Sequence, residues 1–314
     1  MISLADVLSA REAIAERLHR TPVFTSRTLG DGVFLKAELF QRTGSFKPRG
    51  VLTVLASLSP EERARGVIGI SAGNHAQALA YGAALERIDA LVVMWRGASE
   101  AKIAATRGYG AAVDLEASGP AGAFERLEEL MSATGRTLVH PFDDPRTMAG
   151  QGTVGLEIVE DVPDVDVVVC PIGGGGLVSG VATAVKGVRP EARVVGVEPE
   201  VSAAMTEALT AGRPVPVEPR SVADGLNAPF AGDNTLRVCR ERVDEVVLVT
   251  EVEIGAGFRF LYGRAKIACE PAGAATTAAL MSGRIELEPG QTVVAVVSGG
   301  NVALETASAI LARA

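Results

Sequence analysis

Short apolar runs of strand length alternate along this chain with longer stretches of helical spacing. Residues 3–20 predict a helix with Ser3 at its N-cap, and residues 33–38 a strand. Three strand–helix pairs are then expected, beginning with strand 67–70 and helix 74–86, whose N-cap would be Asn74. Strand 90–94 with helix 99–107 and strand 111–115 with helix 121–134 continue the series, and helix 147–160 opens a second one. There, strand 165–170 precedes helix 176–188, and strand 194–198 precedes helix 201–211. An irregular stretch, 212–233, contains Pro214, Pro216, Pro219 and Pro229. Strand 246–249, helices 252–265 and 272–281, strand 292–298 and helix 301–313 complete the chain. Repeated βα units imply parallel sheets covered by helices, here an α/β fold of two doubly wound sheets. Such sheets bind ligands beyond the carboxyl ends of their strands. Three strand-to-helix turns stand out there: Ser71 to His75, the tetraglycine Gly173 to Gly176, and Ser298 to Asn301.

Composition narrows the class. The 314 residues suit about two domains at ~150 residues each. With 30 basic and 38 acidic residues the net charge is −8, and no basic stripe is present, which argues against nucleic acid or an anionic membrane as partner. No apolar run approaches the ~18 residues of a membrane span. The start, from Met1 to Arg11, lacks the basic-then-apolar order of a signal peptide, so a cytoplasmic protein is expected. Cys170, Cys239 and Cys269 are widely spaced, as are His19, His75 and His140, so neither a disulfide framework nor a zinc site is expected.

The turns carry the candidate chemistry. Four glycines opening a helix let backbone amides approach an anion, most often phosphate, at a positive helix N-terminus. A P-loop is excluded because no Gly-Lys-Ser/Thr follows, and a dinucleotide loop fails because positions 178 and 179 are Val and Ser. Glu198, ending the next strand, keeps a dinucleotide-dependent oxidoreductase open as an alternative. Only five lysines occur: Lys36, Lys47, Lys102, Lys186 and Lys266. Lys47, in Ser45-Phe46-Lys47-Pro48, stands at a helix start, where positive potential lowers an amine's pKa; it is the candidate Schiff-base former.

Taken together, these segments resemble the fold-type II pyridoxal-phosphate enzymes, whose architecture is that of the tryptophan synthase β chain. The likeness is greatest to the threonine/serine dehydratase branch, which includes serine racemase. It rests on Ser45-Phe46-Lys47, Ser71 to Gln77, His140-Pro141-Phe142-Asp143-Asp144, Gly150-Gln151-Gly152-Thr153, Gly173 to Leu177, Ala223-Asp224-Gly225, Glu270-Pro271-Ala272-Gly273 and Ser298 to Asn301, in that order. The resemblance implies that Lys47 holds pyridoxal 5'-phosphate and acts as the base at the substrate α-carbon. It implies that Gly173, Gly174, Gly175, Gly176 and Leu177 bind the phosphate and that Asn74 bonds the ring hydroxyl. Phe46 and Gly225 would pack near the ring, and Ser298 would meet the ring nitrogen. Ser71, Ala72, Gly73, Asn74 and His75 would receive the substrate carboxylate. A serine at the ring nitrogen leaves the ring largely neutral, which favours β-elimination over transamination.

The implied activity is that of a lyase turning a β-hydroxy L-amino acid, such as threonine or serine, into a 2-oxo acid and ammonia. Racemase-type chemistry and β-replacement are the alternatives within the cofactor class. The racemase branch has a second serine where Ala72 stands and an aspartate where Ala204 stands, so weak racemisation and no metal are expected, Glu198 being the one matching ligand. The resemblance also implies a homodimer and a nested arrangement: residues 1–49 with 146–314 as a large cofactor-binding domain, and residues 50–145 as a small one.

Overall fold

The computed structural model describes residues 1–312. The chain opens with α1 (Leu4–Ile14), β1 (Val23–Thr25), β2 (Val33–Ala37), α2 (Lys47–Ala56) and α3 (Pro60–Arg65). It continues through β3 (Val67–Ile70), α4 (Asn74–Glu86), β4 (Ala90–Trp95), α5 (Glu100–Gly108), β5 (Ala112–Ala117), α6 (Pro120–Thr134) and β6 (Thr137–Leu138). Then come α7 (Pro145–Asp161), β7 (Val167–Pro171), α8 (Gly176–Val188), β8 (Arg193–Pro199), α9 (Ala204–Ala211), α10 (Asp233–Arg242) and β9 (Glu245–Val249). The last elements are α11 (Glu251–Phe260), α12 (Pro271–Met281), β10 (Val293–Val297) and α13 (Leu304–Leu311).

Two sheets form, a six-stranded one ordered β1-β2-β10-β7-β8-β9 and a four-stranded one ordered β5-β4-β3-β6. All pairings are parallel except β1 with β2. The strands of the smaller sheet follow one another in sequence, between β2 and β7 of the larger.

The apolar runs are continuous because both sheet faces are covered. In β7, Val167 and Val169 face a core shared with Ile254, Phe258 and Ala275, while Val168 and Cys170 face one shared with Val178, Val181 and Leu236. Each fully buried valine contributes about 1.5–3 kcal/mol of hydrophobic stabilisation. All three cysteines are buried and free.

The order of the large sheet places the site. β10 pairs with β2 on one side (Val297 opposite Ala37) and with β7 on the other (Ala295 opposite Val169). The carboxyl ends of three adjacent strands therefore feed the segments holding Lys47, Ser298 and the tetraglycine. This is a switch point, since the chain leaves β7 toward β8 and returns to β10 from β9.

Several elements differ from expectation. α1 has its Ser3 capping box but ends at Ile14, not Arg20, because Glu16 turns left-handed at φ 65°. β1 and β6 were not expected; at three and two residues they carry too little pattern. α10 was also unexpected, since its donors are capped from far away: the Asp143 carboxylate accepts from Asn234 N at 2.9 Å and Thr235 N at 3.1 Å. Asn74 is not an N-cap; Gly73 holds that position and the Asn74 side chain is engaged elsewhere. Helix α9 begins at Ala204 rather than 201, α11 stops at Phe260 before a π-turn, and α13 begins at Leu304 rather than 301. Arg313, the last residue of the predicted final helix, lies outside the described residues.

Candidate active site

Backbone pairing sets Lys47 beside the end of β10. Phe46 N donates to Ser298 O at 3.2 Å, Gly300 N donates to Gly44 O at 2.9 Å, and Ser45 bridges Gly299. Lys47 then opens α2, with Pro48 in the first turn, where a missing N–H costs nothing. Its Nζ donates to Pro141 O at 2.8 Å and lies 5.1 Å from the Phe46 ring centroid. Burial pushes this amine down to about 8, with Glu270 pulling the other way. Lys47 makes no ion pair among the described residues.

Two residues from the other motifs are bonded to each other, and one of them, Glu270, acts on the Lys47 amine. The Asn74 amide, at the start of α4, donates to Glu270 Oε1 at 2.7 Å, and its carbonyl accepts from Asn301 Nδ2 at 2.8 Å. Asn301 also donates to Thr43 O at 2.7 Å, so the chain Thr43–Asn301–Asn74–Glu270 ties the two sheets together. Glu270 is buried, and desolvation, reinforced by Asp224, pushes its carboxyl up to about 8. Gly225 packs against the same carboxyl, its missing Cβ only 3.6 Å from Glu270 Oε1. Beside it, Asp224 pairs with Lys102 of α5.

The tetraglycine is joined to Lys47 through residues 140–142. The Phe142 ring covers Gly174 so closely that a Cβ there would lie 2.4 Å from ring carbons. Gly175 adopts φ 95°, a left-handed conformation that side chains resist. No group among the described residues accepts from the N–H of Gly173, Gly174 or Gly175, and these donors stand at the N-terminus of α8. Leu177, by contrast, is buried in the core behind the loop.

In the turn after β3, Ser71 Oγ accepts from Gly73 N at 3.0 Å. His75 is buried with Nε2 2.8 Å from Val139 O; burial, and then Lys47, lower its pKa to about 3, so it is neutral. Its Nδ1, with Thr43 Oγ1 and Ser45 Oγ, is buried without a hydrogen-bond partner. The Ser298 side chain is buried as well, 3% exposed. Glu198 lies outside this set. Its carboxylate caps α9, accepting from Met205 N, Thr206 N and Thr206 Oγ1 at 2.7–2.9 Å. Among the described residues no cluster of metal-ligating side chains occurs.

Glu270, Asn301, His140 and Pro141 lie within motifs the sequence displays, yet none is a site residue on sequence grounds. The signal for Glu270 was its place before Pro271. Nothing local marks the Pro141 carbonyl.

The arrangement fits the cofactor that the resemblance implies. An amine with a lowered pKa, three unpaired amides at a helix N-terminus and orphaned polar atoms around them match an aldehyde, a phosphate and a polar ring.

Comparison with known proteins agrees. The family model described as "Pyridoxal-phosphate dependent enzyme" matches residues 14–299. The L-threonine ammonia-lyase of Thermotoga maritima is 44% identical over 307 residues, covering 96% of this chain and 76% of that one. A catabolic L-threonine dehydratase of Staphylococcus aureus is 44% identical over 323 residues, covering 99% and 92%. The solved structure of maize serine racemase superposes with TM-score 0.93 at 35% identity, covering 97% of this chain and 95% of that one. The solved T.th. threonine deaminase gives 0.89 at 40% identity, covering 96% and 99%. With a family model across most of its length and relatives well above 30% identity, this chain belongs to the pyridoxal-phosphate-dependent enzymes, in the fold-type II architecture, and its cofactor is pyridoxal phosphate.

Proposed function

We propose that the protein is a dehydratase (ammonia-lyase) that converts a β-hydroxy L-amino acid, threonine, serine or a relative, to a 2-oxo acid and ammonia. The observation that carries this reading is the Lys47 amine, buried without a carboxylate partner where β2, β10 and β7 end side by side. The names of the threonine ammonia-lyase and dehydratase relatives support the reaction class.

Pyridoxal phosphate, when bound, supplies an electron sink that makes the α-hydrogen of an attached amino acid acidic. Lys47 would hold it through Nζ. The N–H groups of Gly173, Gly174, Gly175, Gly176 and Leu177 would hold the phosphate, and Asn74 the ring hydroxyl. Phe46 and Gly225 would flank the ring, with the Ser298 hydroxyl at the ring nitrogen. A hydroxyl there favours loss of a β-group over transamination.

When the substrate amine takes its place, Lys47 Nζ is freed as the general base for the α-proton. Its depressed pKa keeps a sizeable neutral fraction near pH 7–8. The turn from Ser71 through Ala72 and Gly73 to His75 would bind the substrate carboxylate. A neutral His75 adds no competing charge there. Ala72 offers no hydroxyl as a second base, so racemisation is slow.

We also read residues 50–145, which carry the four-stranded sheet, as a small domain nested in a large one formed by 1–49 and 146–314. We expect a cytoplasmic homodimer that binds no nucleic acid. The exposed edge-to-face pair Phe24 and Phe40 is a candidate contact, checked by light scattering on wild type and Phe40→Ser. No helix among the described residues is long and apolar enough to cross a membrane.

The test is direct. The purified protein should be yellow, lose its visible band on borohydride and release 2-oxo acid from L-threonine or L-serine. A colourless protein that binds NAD, or one that releases no 2-oxo acid, refutes the reading.

A further inference from the structure

A row of aromatic side chains crosses the gap between the two sheets next to the reactive amine. It starts at His140, whose Nδ1 accepts from Phe142 N and Asp143 N at 3.2 and 2.7 Å, and whose ring stands edge-on to Phe142 at 4.7 Å. Phe142 meets Phe230 at 5.7 Å between centroids, and Phe230 meets Phe124 at 5.7 Å. These spacings and tilts are those of favourable aromatic pairs. Phe142 belongs to the link before α7, Phe230 to the irregular stretch before α10, and Phe124 to α6 of the four-stranded sheet. Phe142 is 8% exposed, while Phe124 and Phe230 remain half-buried, leaving ring surface uncovered.

The row starts one residue from the carbonyl that holds the reactive amine. Lys47 Nζ, the atom that deprotonates the α-carbon, is bonded to the carbonyl of Pro141, the residue before Phe142. A β-substituent extends only a bond or two from that α-carbon. An anionic substituent finds no unpaired cation on α6 or on the link before α7. Asp143 is engaged by the amides of α10, Arg126 of α6 by Asp114 and Glu129, and Lys102 by Asp224.

We propose that Phe142, Phe230 and Phe124 form an apolar wall for the substrate's β-substituent, which makes β-hydroxy amino acids with an aromatic group on the β-carbon, the 3-phenylserine class, preferred substrates. The inference rests on the dehydratase reading and narrows it. Serine offers the wall nothing to bury and threonine a single methyl group, whereas a phenyl ring can pack edge-on against Phe230. A pocket contact of even one methylene is worth roughly 10–200-fold in discrimination.

The holoenzyme is assayed for 2-oxo acid release from L-threo-3-phenylserine, L-threonine and L-serine, in wild type, Phe230→Ala and Phe230→Leu. In parallel, calorimetry compares binding of L-phenylalanine and L-alanine, which lack a β-hydroxyl. The wall predicts kcat/KM for phenylserine at least about 10-fold above that for serine. In Phe230→Ala that ratio falls at least about 10-fold, and Phe230→Leu recovers part of it. It also predicts phenylalanine binding at least about 10-fold tighter than alanine, with the advantage lost in Phe230→Ala. A phenylserine-to-serine ratio at or below one, or unchanged in Phe230→Ala, overturns the wall while leaving the dehydratase reading intact. Absence of 2-oxo acid from all three substrates overturns the dehydratase reading instead. The calorimetric preference then decides the wall alone: tighter phenylalanine supports it and equal affinities overturn it.

Discussion

Asn74 and Glu270 meet across the gap between the two sheets, the Asn74 amide donating to the Glu270 carboxyl at 2.7 Å although 196 positions separate them in sequence. Desolvation raises the Glu270 pKa to about 8, so the folded protein keeps a proton that the unfolded chain releases near 4.5. With more protons bound in the folded state, stability falls as pH rises from about 4.5 through 8, by up to about 1.4 kcal/mol per pH unit. Replacing Glu270 by Gln should flatten this slope. Urea unfolding at pH 5, 6, 7 and 8 checks it; wild-type and variant curves that run parallel would refute the assignment.

On the proposed reading, the Lys47 amine sets the pH dependence of cofactor capture. Because burial brings it to about 8, the rate at which apoprotein regains its visible band with pyridoxal phosphate should rise through pH 8 and level off near pH 9. An unperturbed lysine, with a pKa of about 10.4, would still be gaining at pH 10. Stopped-flow absorbance distinguishes the two.

Removing the amine tests its chemistry. Lys47→Ala should bind the cofactor without covalent fixation by borohydride, and 2-oxo acid formation should fall by at least about 10²–10⁴-fold, the range for a general base. Intact mass after reduction and the coupled assay are the two readouts. Activity near wild type would move the role to another residue.

Gly174 faces the Phe142 ring with no room for a methyl group. Gly174→Ala should destabilise the protein by roughly 1–3 kcal/mol through overpacking and weaken phosphate binding. Combining it with Phe142→Leu should restore part of the stability, a non-additivity measurable by a double-mutant cycle. Additive effects would show that the two residues do not touch.

Arg49, two residues after Lys47, is buried between Glu38 and Glu157, with bonds of 2.7–3.0 Å that pin α2 to α7. Lys36 joins the same cluster through Glu157. Arg49→Met would leave two carboxylates under-compensated, and a cost of about 3–5 kcal/mol is expected in urea unfolding. A loss below about 1 kcal/mol, the worth of an exposed pair, would mean that the cluster is hydrated or reorganises.

Much of this was legible along the chain. β3 and the helices α4 and α8 fall where their apolar spacing puts them, because their buried faces and glycine or polar boundaries are local properties. The motif turns were legible for the same reason, since a glycine run after a buried valine strand has few other uses. α10 was not, because the carboxylate capping it belongs to Asp143, 91 positions before Asn234. Nor was the turn at Glu16, a left-handed residue without a glycine to signal it.

The sequence by itself determined eight of the ten strands, the glycine-rich and polar turns at their ends, and a short list of lysines from which Lys47 is proposed to hold the cofactor. It could not assign the Asn74 side chain, which reads as a helix cap and instead bridges Asn301 and Glu270. It could not show that burial raises the Glu270 pKa, that Glu198 is consumed by capping α9, or that three phenylalanines line up across the gap. Those properties depend on desolvation and on contacts between segments as distant in sequence as Thr43 and Asn301. Local spacing encodes which face of an element is apolar, but only the packed sheets decide which distant group meets that face and how much water remains between them.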